Sequence, residues 1–259
     1  MPQLSGNRRA SDAGRERPPL LTPQRQVTPD RRSMLQVYDQ TAADYDRVAD
    51  LMALGTGRWY RRCALRRAGL APGMRVLDVG FGTGQVARQA IWIIGDPALL
   101  IGIDPSLGMM RASPLAGSVA LVAGVAERIP LPDACVDFIS MGYALRHLVD
   151  LEASFREFHR VLKPGGRLCV LEITKPAGWL GETLLRAYMC TWVPMLARLT
   201  GAAQPHTDIR RIWRYYWDSV DACVAPTEIW RLLHAVGFSD LCRDVELGCL
   251  SEYRARKHA

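Results

Sequence analysis

The residues best placed to do chemistry fall into two clusters. The first is Gly80-x-Gly82-x-Gly84, which follows the apolar stretch 74–80 carrying Asp78 and is itself followed, 20 residues past Gly84, by Asp104. Glycine at every second position strips Cβ atoms from a loop, so its backbone can lie flush against a ligand or simply turn tightly. An acid ending the next apolar stretch can accept hydrogen bonds from that ligand or cap the helix behind it. The second cluster is Arg146-His147, in the stretch Tyr143–Asp150. It sets a permanent cation beside a group that ordinarily titrates near 6.5, a pairing suited to steadying a developing anion and taking a proton. Two plainer readings stand beside it: Arg146 pairs with Asp150 at i+4, and His147 is a partly buried packing residue. The seven cysteines (63, 135, 169, 190, 223, 242, 249) form no C-x-x-C, and the five histidines add no cluster at metal-ligand spacing. The cysteines therefore read as reduced, buried and cytosolic, with no metal expected.

Both clusters need a scaffold, and the hydrophobic periods supply one. Short buried strands are predicted over 74–80, 99–105, 118–124, 135–142 and 167–176. Helices are predicted over 85–95, from Ser106 towards Ala112, and from Asp150 to a closing Lys163-Pro164-Gly165-Gly166 turn. Strands alternating with helices predict a doubly wound, mostly parallel α/β sheet covered on both faces, with ligands at the carboxyl ends of the strands. Ahead of this core (71–176), residues 34–70 read as an N-terminal cap of two helices, with Tyr38, Ala42, Tyr45, Val48, Leu51 and Met52 near helical spacing and a break at Gly55 and Gly57. After it, 177–225 interrupts the alternation and holds Trp179, Tyr188, Trp192, Trp213, Tyr215, Tyr216 and Trp217. We read it as a helical substrate cap. A last helix (225–238) and two strands (240–247 and 249–255) close the domain in 226–259.

The net charge of the 259-residue chain is +7, and residues 1–33 alone carry +4: seven arginines against Asp12, Glu16 and Asp30. That stretch, rich in proline and poor in large apolar residues, reads as a disordered basic tail ahead of a single domain at 34–259. No secretory apolar segment and no run long enough to span a bilayer is visible, so a cytoplasmic protein is expected.

The loop is not a dinucleotide fingerprint. A third glycine is needed at position 85, where Gln85 stands. The D-x-G-x-G-T-G pattern resembles motif I of class I S-adenosyl-L-methionine-dependent methyltransferases, which implies glycines against the methionine and ribose parts of the cofactor and Asp104 on both ribose hydroxyls. The segments "VYDQTAADYDRVADLMALG", "VLDVGFGTG", "GIDPSLGMM", "AERIPLPDACVDFISMGYALRHLVD" and "FHRVLKPGGRLCVLEITKP" are, in order and spacing, similar to the ubiquinone/menaquinone-biosynthesis C-methyltransferases. The likeness runs from Tyr38 to Lys257 and is weakest over 175–225. It implies a seven-stranded Rossmann-like methyltransferase sheet. It also implies a cofactor site of Asp78, Gly80, Gly82, Gly84, Asp104, Val125, Ala126 and Met141.

On the acceptor side the resemblance implies Arg146 facing the methyl group and steadying a phenolate, with His147 as general base titrating near 6–7. Tyr45 and Tyr143 would line the substrate slot, and Glu127 matches the acid of an Ala-Glu pair. The implied acceptor is a lipid-like quinol. Peripheral contact with the inner membrane face and a homodimer are compatible with it, and nucleic acid is not expected because Met141-Gly142-Tyr143 stands where an Asn-Pro-Pro-Tyr-type motif belongs. Four features depart from the pattern: His147 replaces Asn, Val125 replaces Asp or Asn, Phe81 fills a small-residue slot, and Ala49 and Gly57 replace Asn and His. They keep a second acceptor class open, a secondary metabolite or a phospholipid amine. A non-catalytic cofactor-binding scaffold is disfavoured, because the glycine loop, Asp104 and Arg146 are all present.

Overall fold

A computed structural model describes residues 31–200 and 216–258. The apolar runs become strands β1 (Val76–Val79), β2 (Leu100–Asp104), β3 (Ala120–Ala123), β4 (Val136–Gly142), β5 (Leu162–Ile173), β6 (Phe238–Glu246) and β7 (Leu250–Lys257). They form one seven-stranded sheet in the order β3-β2-β1-β4-β5-β7-β6. The first five are parallel, and β7 runs antiparallel to both β5 and β6. The order reverses beside β1, so β1 and β4 diverge at the point where open α/β sheets bind their ligands.

Helices α1 (Arg31–Met52), α2 (Gly57–Arg67), α3 (Gln85–Ile94), α4 (Leu107–Ala112), α5 (Leu151–Val161), α6 (Trp179–Ala187), α7 (Val193–Leu199) and α8 (Pro226–Ala235) surround the sheet. A single π turn, Tyr188–Trp192, joins α6 to α7, and a further helical segment spans 216–221. One face of the sheet packs Leu77, Val79, Ile139 and Val170 against Phe155 and Phe158 of α5 and Ile229 and Leu233 of α8. The other packs Val76, Leu100, Phe138 and Cys169 against Leu65 of α2 and Ala87 and Ala90 of α3. Burial of these two apolar layers is what fixes the sheet between its helices.

Two expected boundaries move. α1 begins at Arg31, inside the stretch read as tail; residues 1–30 lie outside the described residues. The Lys163-Pro164-Gly165-Gly166 stretch does not close the helix as an isolated turn. It enters β5 as a bulge, with Val136 opposite Leu162 and Phe138 opposite Arg167. The extra residues on β5 are taken up there, with Gly165 in the left-handed region.

The section after β5 packs as a cap. Met189, Val193, Tyr216, Trp217 and Val220 bury against Ile173 at the end of β5 and against Tyr38, Tyr45, Leu51 and Met52 of α1. Trp213 and Tyr215, together with Arg210, Arg211 and Arg214 on the same stretch, lie outside the described residues.

Candidate active site

The carboxyl ends of β1, β2 and β4, roofed by α1, form an open cleft. Its lining includes Gly80, Gly82, Asp104, Val125, Ala126 and Met141 of the expected cofactor site and Tyr45, Tyr143 and His147 of the expected acceptor site. Three expected residues do not line it.

Asp78 is one. Its carboxyl is buried under the loop and accepts from Ser140 Oγ at 2.6 Å. Burial pushes its pKa up to about 7. It ties β1 to β4. Gly84 is another. A Cβ there would meet Phe81 Cζ at 2.9 Å and Ser113 Oγ at 3.1 Å, so glycine lets the loop pack against its neighbours. Phe81, the large residue in a small slot, is accommodated by Gly102, where a Cβ would lie 2.4 Å from the ring. Gly80 and Gly82 do face the cleft, with φ of 68° and 56°. A Cβ on Gly80 would sit 2.5 Å from Ala144 Cβ, so this loop needs glycine for both conformation and space.

Asp104 ends β2 with both oxygens partly engaged. Oδ2 accepts from Gly82 N at 2.7 Å and Oδ1 from Ser106 N at 2.7 Å. A carboxylate has about four acceptor sites, so each oxygen keeps capacity for a ligand hydroxyl. Burial, with a smaller push from Asp39, raises its pKa to about 6. The helix cap that could have claimed Asp104 is supplied by Ser106 instead, whose Oγ accepts from Met109 N at 3.0 Å. With Ile103, Val125, Ala126 and Met109 as apolar walls, this corner has the chemistry for a nucleoside: a paired acceptor for its hydroxyls and flat apolar surface for its base. These residues fit S-adenosyl-L-methionine.

α1 is locked over this corner by two acids that the sequence reading passed over. Asp39 Oδ1 accepts from Ser106 Oγ at 2.5 Å and from Gly108 N at 3.1 Å. Asp46 accepts from Thr83 Oγ1 at 2.5 Å, Gln85 Nε2 at 3.0 Å and Arg88 Nη2 at 2.8 Å, and these partners hold its pKa below the usual carboxylate value against the opposing cost of burial. Nothing in the local pattern of an amphipathic helix marks such acids; only their partners on α3 and α4 do.

Arg146 is the third expected residue absent from the cleft wall. It sits in a 3-10 turn, Leu145–His147, directly after β4 and Tyr143. Its Nη1 donates to Glu172 Oε1 at 2.5 Å and to the Tyr143 carbonyl at 2.7 Å, and its Nε donates to Ser219 Oγ at 3.0 Å. The pair is buried, with side-chain exposures of 4% and 0%. Glu172 outweighs the burial cost and raises the Arg146 pKa. The expected i+4 partner, Asp150, instead caps α5 by accepting from Ala153 N at 2.9 Å. Asp150 is an N-cap with extended backbone, so no helix places it four residues above Arg146. Glu172 was legible in principle: it is a lone acid in the buried apolar strand "RLCVLEI", and such an acid requires a cation.

The acceptor side is aromatic. Tyr143 has φ +60°, in the left-handed region that non-glycine residues rarely adopt, and its N–H donates to Leu171 O at 2.7 Å. Burial pushes its phenol to about 12, and Arg61 lies over its ring at 5.5 Å. Burial raises the Tyr45 phenol too. His147 Nε2 and Tyr38 Oη are 2.8 Å apart. Burial, then the charge of Arg146, holds the His147 pKa well below its ordinary value. The titration near 6–7 expected of this histidine is therefore displaced to lower pH. Glu127 accepts from Val149 N at 3.0 Å and fixes the loop that enters α5. Of the described cap aromatics, Trp217 is packed in the core beside α1 while Trp179 and Trp192 face solvent; none of these three lines the cleft.

The family model described as the ubiE/COQ5 methyltransferase family matches residues 25–245. The ubiquinone/menaquinone biosynthesis C-methyltransferase UbiE of Stutzerimonas stutzeri is 30% identical over 214 residues, 80% of this chain and 81% of that protein. The protein of the same name from Pseudomonas paraeruginosa is 31% identical over 196 residues, covering 73% and 74%. Among solved structures, a SAM-dependent methyltransferase from Aquifex aeolicus superposes with a TM-score of 0.57 at 19% identity, over 88% of this chain and 99% of that one. A Haemonchus contortus phosphoethanolamine N-methyltransferase gives 0.63 at 15% identity, over 90% and 61%. The structural likenesses establish the fold. The family match, falling on a cleft with a glycine loop and a strand-end acid, establishes the rest: the chain belongs to the ubiE/COQ5 methyltransferase family and is an S-adenosyl-L-methionine-dependent methyltransferase.

Proposed function

We propose that the chain methylates a ring carbon of a prenylated quinol in ubiquinone or menaquinone biosynthesis. The observation that carries this reading is the aromatic slot of Tyr38, Tyr45, Tyr143 and His147, which opens directly onto the corner of Gly80, Gly82 and Asp104. The likeness to ubiquinone/menaquinone biosynthesis C-methyltransferases at 30–31% identity supports it. Bound there, the cofactor supplies an electrophilic methyl on a sulfonium whose leaving group is neutral and needs no acid. The protein's share is to hold a flat ring against that position and to handle one proton. Asp104 and the glycine loop hold the nucleoside side. Tyr45 and Tyr143 flank the acceptor, and α1, pinned by Asp39 and Asp46, roofs the cleft. Arg146 in this reading is a positioning residue. Its charge is matched by Glu172, and it fixes the turn that presents Tyr143 and His147.

A quinone profile of a deletion strain tests the acceptor. A demethylated quinone should accumulate and disappear on complementation; an unchanged profile sinks the reading. An unchanged profile would bring forward the second acceptor class, a secondary metabolite or phospholipid amine. Val125 and His147, which depart from the residues of the resembled family, keep that class open.

A lipid-like acceptor also calls for a route from the bilayer. No described helix is long and apolar enough to cross a membrane. Support for surface contact comes from Leu180, Leu184, Trp192, Met195 and Leu199, exposed at helical spacing along α6, the π turn and α7, with Trp179 and the exposed Arg198 on the same section. An exposed apolar stripe with a neighbouring arginine suits an anionic leaflet. Flotation with anionic liposomes should recover the protein at low salt and less at high salt; absence of flotation at any salt argues for a water-soluble acceptor.

A further inference from the structure

Quinol methylation needs a group that takes a proton, the role expected of His147, with Arg146 expected to steady the anion that results. Arg146 has no acceptor atom, and its guanidinium is directed to Glu172, the Tyr143 carbonyl and Ser219. What the cleft wall offers instead is a contact between distant stretches of the chain. Tyr38 Oη and His147 Nε2 are 2.8 Å apart, their rings meet edge-on at 5.5 Å, and both side chains line the cleft. The Tyr38 ring is held in place between Tyr45, at 6.0 Å, and Tyr216, at 6.3 Å. The helix that carries it is fastened one residue further on, through Asp39 to Ser106, and seven residues beyond that through Asp46 to the glycine loop.

We infer that Tyr38 is a catalytic residue, meeting the acceptor hydroxyl and relaying its proton to His147 Nε2. This rests on the quinol reading above. In the step, the acceptor O–H bond breaks and its proton bonds to Tyr38 Oη, while the proton of Tyr38 passes to His147 Nε2. The electron pair stays on the acceptor oxygen and delocalises to the ring carbon that takes the methyl. After transfer the ring carbon's C–H bond breaks, and its proton passes to water at the open mouth of the cleft as the one proton the reaction releases. The electron pair of that bond restores the aromatic ring, and the relay run backwards restores the acceptor hydroxyl.

A phenolic hydroxyl ordinarily ionises near 10, so an unassisted acceptor would stay protonated at neutral pH. Among the described residues, the charged and titratable groups facing His147 include Arg146, Tyr38 and, behind Arg146, Glu172. Arg146 and burial keep the imidazole unprotonated at rest, ready to accept. The same two effects make the imidazolium short-lived and favour the return of the proton.

The test uses the full-length chain, S-adenosyl-L-methionine and a demethyl quinol bearing a short prenyl chain, with the ring-methylated product followed by mass spectrometry. Wild-type enzyme that binds the cofactor but leaves this quinol unmethylated removes the quinol reading, and the relay with it. Given wild-type turnover, Tyr38→Phe is expected to lower kcat about 10²-fold, the scale for loss of acid–base assistance, with cofactor Kd unchanged as the check on folding. His147→Asn should match it, and the double variant should be no worse than the poorer single, as for residues acting as one unit. An acceptor analogue with a more acidic hydroxyl arrives already ionised and should recover most of the Tyr38→Phe loss, which a packing role would not allow. Full activity in Tyr38→Phe, losses that multiply in the double variant, or no recovery with the acidic analogue would each overturn the relay.

Discussion

Around Gly80, Gly82 and Asp104 the cleft is walled by main chain and one acid held by two backbone N–H groups. Around Tyr38, Tyr143 and His147 it is walled by side chains from α1 and from the loop after β4, steadied by partners on β5 and the 216–221 segment. The two halves answer to different physics. The first depends on φ angles and on missing Cβ atoms, properties fixed within a few consecutive residues. The second depends on which distant side chain reaches which, so a residue's type there says little until its partner is known. Arg146 is an instance: its position after β4 suggests chemistry, and only the fold shows that its guanidinium is paired with Glu172.

The largest expected effect sharpens this contrast. Glu172→Ala leaves the Arg146 guanidinium buried without its carboxylate, which should destabilise the fold by about 3–5 kcal/mol. Urea unfolding measures it. Replacing both members with apolar residues of similar volume should restore most of that stability. If Glu172→Ala instead leaves the unfolding midpoint unchanged while abolishing turnover, Arg146 acts on the substrate and the division drawn between the halves fails.

On the cofactor side the expected loss is smaller and confined to binding. Asp104→Ala should weaken S-adenosyl-L-methionine by about 2 kcal/mol, the scale for hydrogen bonds to a charged group, as read by calorimetry, with little change in unfolding. The pH dependence has a definite sign. With the ligand-free acid held up to about 6, ionisation must precede full acceptance of two hydroxyls, so affinity should rise as pH increases through 6 and flatten above it. The same raised pKa means that the ligand-free fold gives up stability as pH rises from about 4 through 6. Asp104→Asn should abolish the pH dependence of binding; a slope that survives in that variant belongs to another group.

The smallest effect is expected at the adenine edge. Val125 lines the cleft where the resembled family carries Asp or Asn. Val125→Asp should tighten the cofactor by about 1 kcal/mol, the net value of one added hydrogen bond. Loss of binding in that variant would show that this wall reads shape alone.

The sequence by itself determined the sheet, the carboxyl ends of its first strands and the glycine loop. Each depends on a short-range period or on a backbone conformation that few residues adopt: the apolar runs ending at Val79 and Asp104, and the glycines at 80 and 82. The fifth strand, expected over 167–176, instead runs over Leu162–Ile173. The Lys163–Gly166 stretch was misjudged because a turn and a bulge share the same residues, and only the register against β4 tells them apart. The tertiary structure alone decided that Asp78 braces Ser140, that Gly84 serves packing, that Asp39 and Asp46 pin α1, and that Tyr38 faces His147 across 109 positions of chain. An acid, a phenol or a guanidinium can be solvated, paired or catalytic in any local pattern. Which of these it becomes is settled by the desolvation and the partner that long-range packing imposes.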